Sequence, residues 1–204
     1  MAQFHAAGWD NDIWKGISPT LWERLRSSEW LEAACERLFN QAGDALDEVT
    51  KSVCARFLRG FPELFKRAEH LKGKTLVHGD AHVCNWMLRR DNKVEILKLI
   101  DRDGWPVGVG VCDLAYMMAL QWDRKVRQRF ETKLLNRYHT ALTASGVIGY
   151  SREALQAYYR LAVLVHLRTP ISRFASNMSA YVWWPQLARS VDAVEDLKCL
   201  DLLD

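Results

Sequence analysis

The spacing of apolar residues changes twice along this chain, and those two changes limit what it can fold into. Up to about residue 71 the spacing is helical. Ser18-Pro19 reads as a helix start, Leu21, Trp22 and Leu25 follow one face, and Trp30, Leu31, Ala34 and Leu38 continue at helical intervals. Gly43-Asp44 is a break, Leu46, Val49, Val53, Phe57 and Leu58 form a second stripe, and Gly60 with Pro62 punctuates it. The pattern then turns β-like: Thr75-Leu76-Val77 is a short β-prone run. Trp86–Arg89 and Val94–Ile100 read as a hairpin around the turn residues Asp91-Asn92-Lys93. Helical spacing returns at Asp113, read as an N-cap, and continues through Asp123–Ala144, Ser151–Val165 and, more weakly, Pro185–Leu203. The expected fold is α+β and mainly helical, with one small β insert.

That insert carries an unusual concentration of polar residues at strand ends. His78-Gly79-Asp80-Ala81-His82-Val83-Cys84-Asn85 precedes the hairpin, Ile100-Asp101 closes it, and Gly108-Val109-Gly110-Val111-Cys112-Asp113-Leu114-Ala115 follows. An Asp followed five residues later by an Asn, in a loop between strands, can turn both side chains into one cleft. A hairpin then brings Asp101 back beside them. Phosphoryl transfer needs such a set: one carboxylate to accept a hydroxyl proton, and a second carboxylate with an amide oxygen to hold Mg²⁺ on phosphates.

These three segments resemble the aminoglycoside phosphotransferase/choline kinase-like superfamily, which shares the protein kinase fold. Its catalytic loop reads H-G-D-x-x-x-x-N, and its metal segment reads I-D followed by G-x-G-x-x-D-L-A. The match is carried by His78, Gly79, Asp80, Asn85, Ile100, Asp101, Gly108, Gly110, Asp113, Leu114 and Ala115. Phe4-His5-Ala6 with Trp9 also resembles the helix that opens that family's C-terminal lobe. The resemblance implies ATP as co-substrate, Mg²⁺ as cofactor and a small-molecule hydroxyl as acceptor. By the same resemblance Asp80 is the catalytic base, Asn85 and Asp101 are Mg²⁺ ligands, and His78 braces the loop. Asp113 caps a helix and supports the loop backbone, and His82 faces the acceptor. The chain departs from the pattern just after the metal Asp, where Arg102 and Asp103 stand, so Asp103 is a rival or additional ligand. Upstream of Thr75 nothing resembles the Gly-rich loop and strand Lys of the family's first lobe. The expectation is a C-terminal lobe without its ATP-gripping partner, and a face left bare for self-association. A non-catalytic remnant acting as a binding or scaffold protein is the alternative.

Composition serves mainly to exclude. In 204 residues, 49% hydrophobic with nine Trp, a real core is within reach, and a net charge of +3 argues against nucleic-acid or membrane partners. An odd count of five Cys, with no C-x-x-C pair, fits reduced thiols better than disulfides or structural zinc. With no secretory signal and no apolar run of ~20 residues, a cytoplasmic location is expected. His78, Asp80 and His82 alternate as metallohydrolase ligands sometimes do, but that reading leaves the spacing to Asn85 and Asp101 unexplained. His5, His70, His139 and His166 read as structural or surface residues, His166 as a satisfied core histidine. Trp183-Trp184 reads as core, residues 124–129 as a solvated basic helix face, and Cys84 and Cys112 as packing residues.

Overall fold

The computed structural model describes residues 1–11, 29–91, 94–101 and 106–203. The expected helix start at Ser18-Pro19, with Leu21, Trp22 and Leu25, lies outside these residues, as do Arg102 and Asp103. The chain opens with α1 (Ala2–Ala7), then α2 (Glu29–Ala42), a 3₁₀ turn at Gly43–Ala45, and α3 (Glu48–Glu69). The break expected at Gly43-Asp44 is that turn, with Gly43 in the left-handed region at φ 51°.

Gly60 and Pro62 do not end a helix, contrary to the sequence reading; α3 runs through both. Pro62 removes one intrahelical hydrogen bond and crowds the preceding turn, at a cost of about 3 kcal/mol. Phe57, Phe61 and Leu64 are almost wholly buried along the same helix, and each such side chain contributes about 1.5–3 kcal/mol, so packing outweighs the proline. Gly60 lets the C-terminal segment approach closely: a Cβ there would lie 2.4 Å from Leu203 Cδ2, and that side chain would have to turn aside. The C-terminal 3₁₀ segment Cys199–Leu203 rests on this face, and Arg56 and Arg67 donate to the carbonyls of Leu200 and Leu202.

The β insert forms two separate antiparallel pairs. β1 (Lys74–Leu76) pairs with β4 (Val107–Val109), which places Thr75 opposite Gly108. β2 (Trp86–Asp91) pairs with β3 (Val94–Leu99) in the register Trp86↔Leu99 and Leu88↔Leu97, the expected hairpin. A further 3₁₀ turn, Val83–Asn85, joins the loop to β2. The central helix α4 (Val111–Gln121) is buried on nearly every face. It starts at Val111, so Asp113 lies within the first turn and is not an N-cap; its carboxylate has other donors, described below.

The remaining helices wrap α4. They are α5 (Arg124–Ala144), α6 (Arg152–His166), α7 (Arg168–Ala175) and α8 (Ala180–Asp196). α4 packs on α6 and α8, α7 joins α8 to α2, and α1 lies on α5. Ser151 caps α6 by accepting from the amide of Ala154 at 3.1 Å. Trp183 is buried against Phe174 and Trp184, in the core as expected. The basic run departs from a solvated face at one position. Arg127 is buried, donates to both carboxylate oxygens of Glu131 at 3.1 Å, and pairs with Asp196. Tyr159 donates to the same Glu131 at 2.6 Å. Among the described residues no helix is long and apolar enough to cross a membrane. All five Cys are free, and Cys84 is exposed rather than packed.

Candidate active site

The polar loop is anchored from below by Asp113. Val77, just past β1, donates to the carbonyl of Pro106 at 3.0 Å. The chain then turns at Gly79, whose φ of +78° is costly for any residue with a Cβ. The turn aims two successive amides inward: His78 N–H donates to Asp113 Oδ2 at 2.7 Å and Gly79 N–H to Oδ1 at 2.9 Å. A third partner comes from the start of the chain, His5 Nε2, 3.2 Å from Oδ2. Nδ1 of His5 is 2.8 Å from the Tyr138 hydroxyl, and the His5 carbonyl accepts from Thr75 Oγ1 at 2.8 Å. The network closes when His5 Nε2–H donates to Asp113 and Tyr138 donates to Nδ1.

Gly110 explains the second glycine of the G-x-G segment. A Cβ there would sit 2.5 Å from the Tyr138 hydroxyl and 2.8 Å from His5 Nδ1. Burial pushes the Asp113 carboxyl upward, but the hydrogen bond and charge of His5 and the two loop amides outweigh it and hold the carboxyl below its ordinary value.

His78 and Asn85 tie the loop to the hairpin. His78 Nε2–H donates to the Ile100 carbonyl at 2.8 Å, and its Nδ1 faces the Asp80 amide at 3.3 Å. Asn85 is buried; its Nδ2 donates to the Asp80 carbonyl at 2.9 Å, and its own carbonyl accepts from the Ile100 amide at 2.9 Å. One residue, Ile100, is thus held by both ends of the loop. Asp101 follows it directly, exposed and in the left-handed region at φ +62°. A non-glycine residue there stores about 1–3 kcal/mol of strain, which persists only where the surroundings dictate the conformation. On its N-terminal side the two bonds to Ile100 hold the chain in place.

Asp80 lies at the centre of a second set of contacts. Its Oδ1 accepts a short hydrogen bond from the Tyr116 hydroxyl and lies 3.5 Å from Nη2 of Arg173. Arg173 Nη2 donates to the Tyr116 hydroxyl at 2.6 Å. His82 Nε2 is 3.4 Å from the other oxygen, Oδ2. Burial, opposed by the charge of Arg173 and reinforced by the bond to Asp80, raises the Tyr116 phenol well above its ordinary range. Behind it the His166 ring meets Tyr116 edge-on at 5.2 Å, and His166 Nε2 is 3.0 Å from the Cys112 carbonyl. Burial lowers the His166 imidazole to about 4.

The structure therefore draws His78, Asp80, His82, Asn85 and Asp113 into one connected unit, with Asp101 at its edge; Asp103 lies outside the described residues. Sequence reasoning missed the site contacts of His5, Tyr116, Tyr138 and Arg173. Tyr116 was legible in one respect, since it lies three residues beyond Asp113 on the same helix face. Arg173 comes from a helix 57 residues further on and carries no local signal. The metallohydrolase reading loses ground. Both ring nitrogens of His78 face partners, and among the described residues no group of three or more His, Cys, Asp or Glu is disposed to hold a metal.

An Asp-bearing loop, a hairpin and an Asp-bearing strand end, carried on a mainly helical body, make up an α+β kinase-like arrangement. Residues 1–146 match the ecdysteroid kinase-like family, and the chain belongs to it; that family sits within the protein-kinase-like superfamily. No curated protein and no solved structure matches the chain.

Proposed function

We propose that this chain carries the catalytic loop of a small-molecule kinase and transfers the γ-phosphoryl group of ATP to a hydroxyl. The observation that carries the reading is the run of hydrogen bonds from Asp80 through Asn85 and Ile100 to His78. It makes the base-bearing loop and the Asp101 strand end one rigid piece, as a reaction governed by positioning requires. Asp80 takes the acceptor proton, and His82, beside it, faces the acceptor. His78 and Asp113 hold the loop in shape.

The donor set fits Mg²⁺. Asn85 spends its Nδ2 on the Asp80 carbonyl, which leaves its Oδ1, an oxygen donor, as the atom that would meet a cation, and Asp101 adds an exposed carboxylate. Asp103 is a further candidate ligand. Bound Mg²⁺ neutralises charge on the phosphate oxygens. The name of the ecdysteroid kinase-like family suggests an ecdysteroid as acceptor. The exposed cross-strand pair Leu88 and Leu97 on the hairpin, 52% and 57% accessible, supports self-association through that face.

The test is transfer of label from γ-³²P ATP to ecdysone by the wild-type chain and by Asp80→Ala. Labelled ecdysone with the wild-type chain only is the expected result. No transfer above the Asp80→Ala background would favour a non-catalytic binding role.

A further inference from the structure

A phenol hydroxyl has one proton to give, and a guanidinium has donors only. Because Arg173 donates to the Tyr116 hydroxyl at 2.6 Å, that oxygen is an acceptor on the Arg173 side. Its single proton is then directed to its other oxygen neighbour, Oδ1 of Asp80. The guanidinium also lies over the Tyr116 ring, 5.9 Å from its centroid. Both polar contacts of this pair fall on the same carboxylate oxygen. Among the described residues the other, Oδ2, has only the His82 ring at 3.4 Å, a long and weak contact. Tyr116 is buried at 4% accessible and the Arg173 side chain is partly buried at 18%, while the Asp80 side chain is 47% accessible. The carboxylate thus has a protein-bound oxygen and an open one.

We infer that Tyr116 and Arg173 are positioning residues for Asp80, committing Oδ1 to the protein and leaving Oδ2 as the oxygen that receives the acceptor's proton. The inference rests on the phosphotransferase reading above. In the step it describes, the acceptor O–H bond breaks and its proton passes to Oδ2. The freed oxygen forms a bond to the γ-phosphorus as the bond from that phosphorus to the bridging oxygen breaks. ADP leaves with the bridging electron pair, and Asp80 later returns its proton to solvent. Without the clamp the carboxylate rotates about its terminal torsion, and its two oxygens exchange places in front of the acceptor. Arg173 also ties the base to α7, so displacement of that helix is felt at the reacting atom.

Two measurements test this. The first is a double-mutant cycle on stability, by urea denaturation, with Asp80→Ala, Tyr116→Phe and the pair. The clamp predicts non-additive losses; additive losses overturn it, and this holds whether or not the chain turns over. The second is steady-state transfer from ATP to ecdysone with Tyr116→Phe, Arg173→Gln and Arg173→Lys. Loss of alignment predicts kcat down about 10–100-fold in Tyr116→Phe and Arg173→Gln. Mg·ATP affinity is unchanged, Arg173→Lys is partly active, and Tyr116→Phe causes no further loss once Asp80 is Asn. Wild-type kcat in Tyr116→Phe, or a fall in Mg·ATP affinity that accounts for the whole loss, overturns the assignment. If the wild-type chain transfers nothing, the phosphotransferase reading fails, and the stability cycle alone decides whether the clamp exists.

Discussion

Replacing Asp113 with Asn is the sharpest structural perturbation available in this fold. The carboxylate accepts from His78 N–H, Gly79 N–H and His5 Nε2 and is buried. An amide of the same shape keeps one acceptor oxygen and turns two N–H donors toward groups that are themselves donors. One loop amide then loses its partner in a buried place, at about 1–3 kcal/mol, and the surviving bonds lose charge assistance, about 1 kcal/mol each. The expected loss at neutral pH is roughly 3–4 kcal/mol, a large share of the ~5–15 kcal/mol of a typical domain. The pH dependence has a definite sign. The folded carboxyl lies below the ordinary 3.8, so the unfolded chain binds the proton more readily. The stabilisation is complete above 3.8 and is lost as pH falls through the folded value. Urea denaturation followed by tryptophan fluorescence, across a pH series, reads both. A cost below about 1 kcal/mol at neutral pH, given bonds of this kind, would refute the anchoring role. So would a gap between wild type and variant that widens on acidification.

Other consequences can be checked in the same way. His166 is buried with its imidazole lowered from 6.5 to about 4, so the unfolded chain binds the extra proton between those values and stability falls as pH drops through that window. His166→Gln should remove up to about 1.4 kcal/mol per pH unit of that slope, measured by urea midpoints; an unchanged slope assigns it elsewhere. Arg127→Ala leaves Glu131 and Asp196 without their buried cation and should cost about 3–5 kcal/mol. Arg127→Met with Glu131→Gln should recover much of this, and a mild effect of the single change would show that the cluster is well hydrated. Leu88→Lys with Leu97→Glu should shift the chain toward monomer in sedimentation velocity, and an unaltered profile places any self-association on another face.

The sequence revealed most where local chemistry and tertiary need agree. The hairpin was legible because two β-prone runs stand close together, and they pair as expected, with the first strand extending to Asp91, which by sequence reads as a turn residue; Asn92 and Lys93 lie outside the described residues. α6 was legible because Ser151 is both a good cap and the one used. The loop from His78 to Asn85 was legible as a unit because His78, Gly79, Asp80 and Asn85 together resemble the H-G-D-x-x-x-x-N catalytic loop. Tertiary packing hid the rest. Pro62 reads as a stop, yet a continuous buried face carries α3 through it. β4 has three residues, one of them Gly108, too few to set a period. Asp113 reads as an N-cap from its neighbours, but the amides it serves lie 34 and 35 residues back. His5 and Arg173 reach the site from opposite ends of the chain, and Arg127 looks like its basic neighbours until its buried partners are seen.

The central claim is that Asn85 and Asp101 present oxygen ligands for a metal–nucleotide complex beside Asp80. Calorimetric titration of ATP into the chain, with and without Mg²⁺ and with Asp101→Ala, tests it most directly. Binding that requires Mg²⁺ and disappears in Asp101→Ala is the predicted result. Binding indifferent to Mg²⁺ or to Asp101, or none at millimolar nucleotide, would contradict the account.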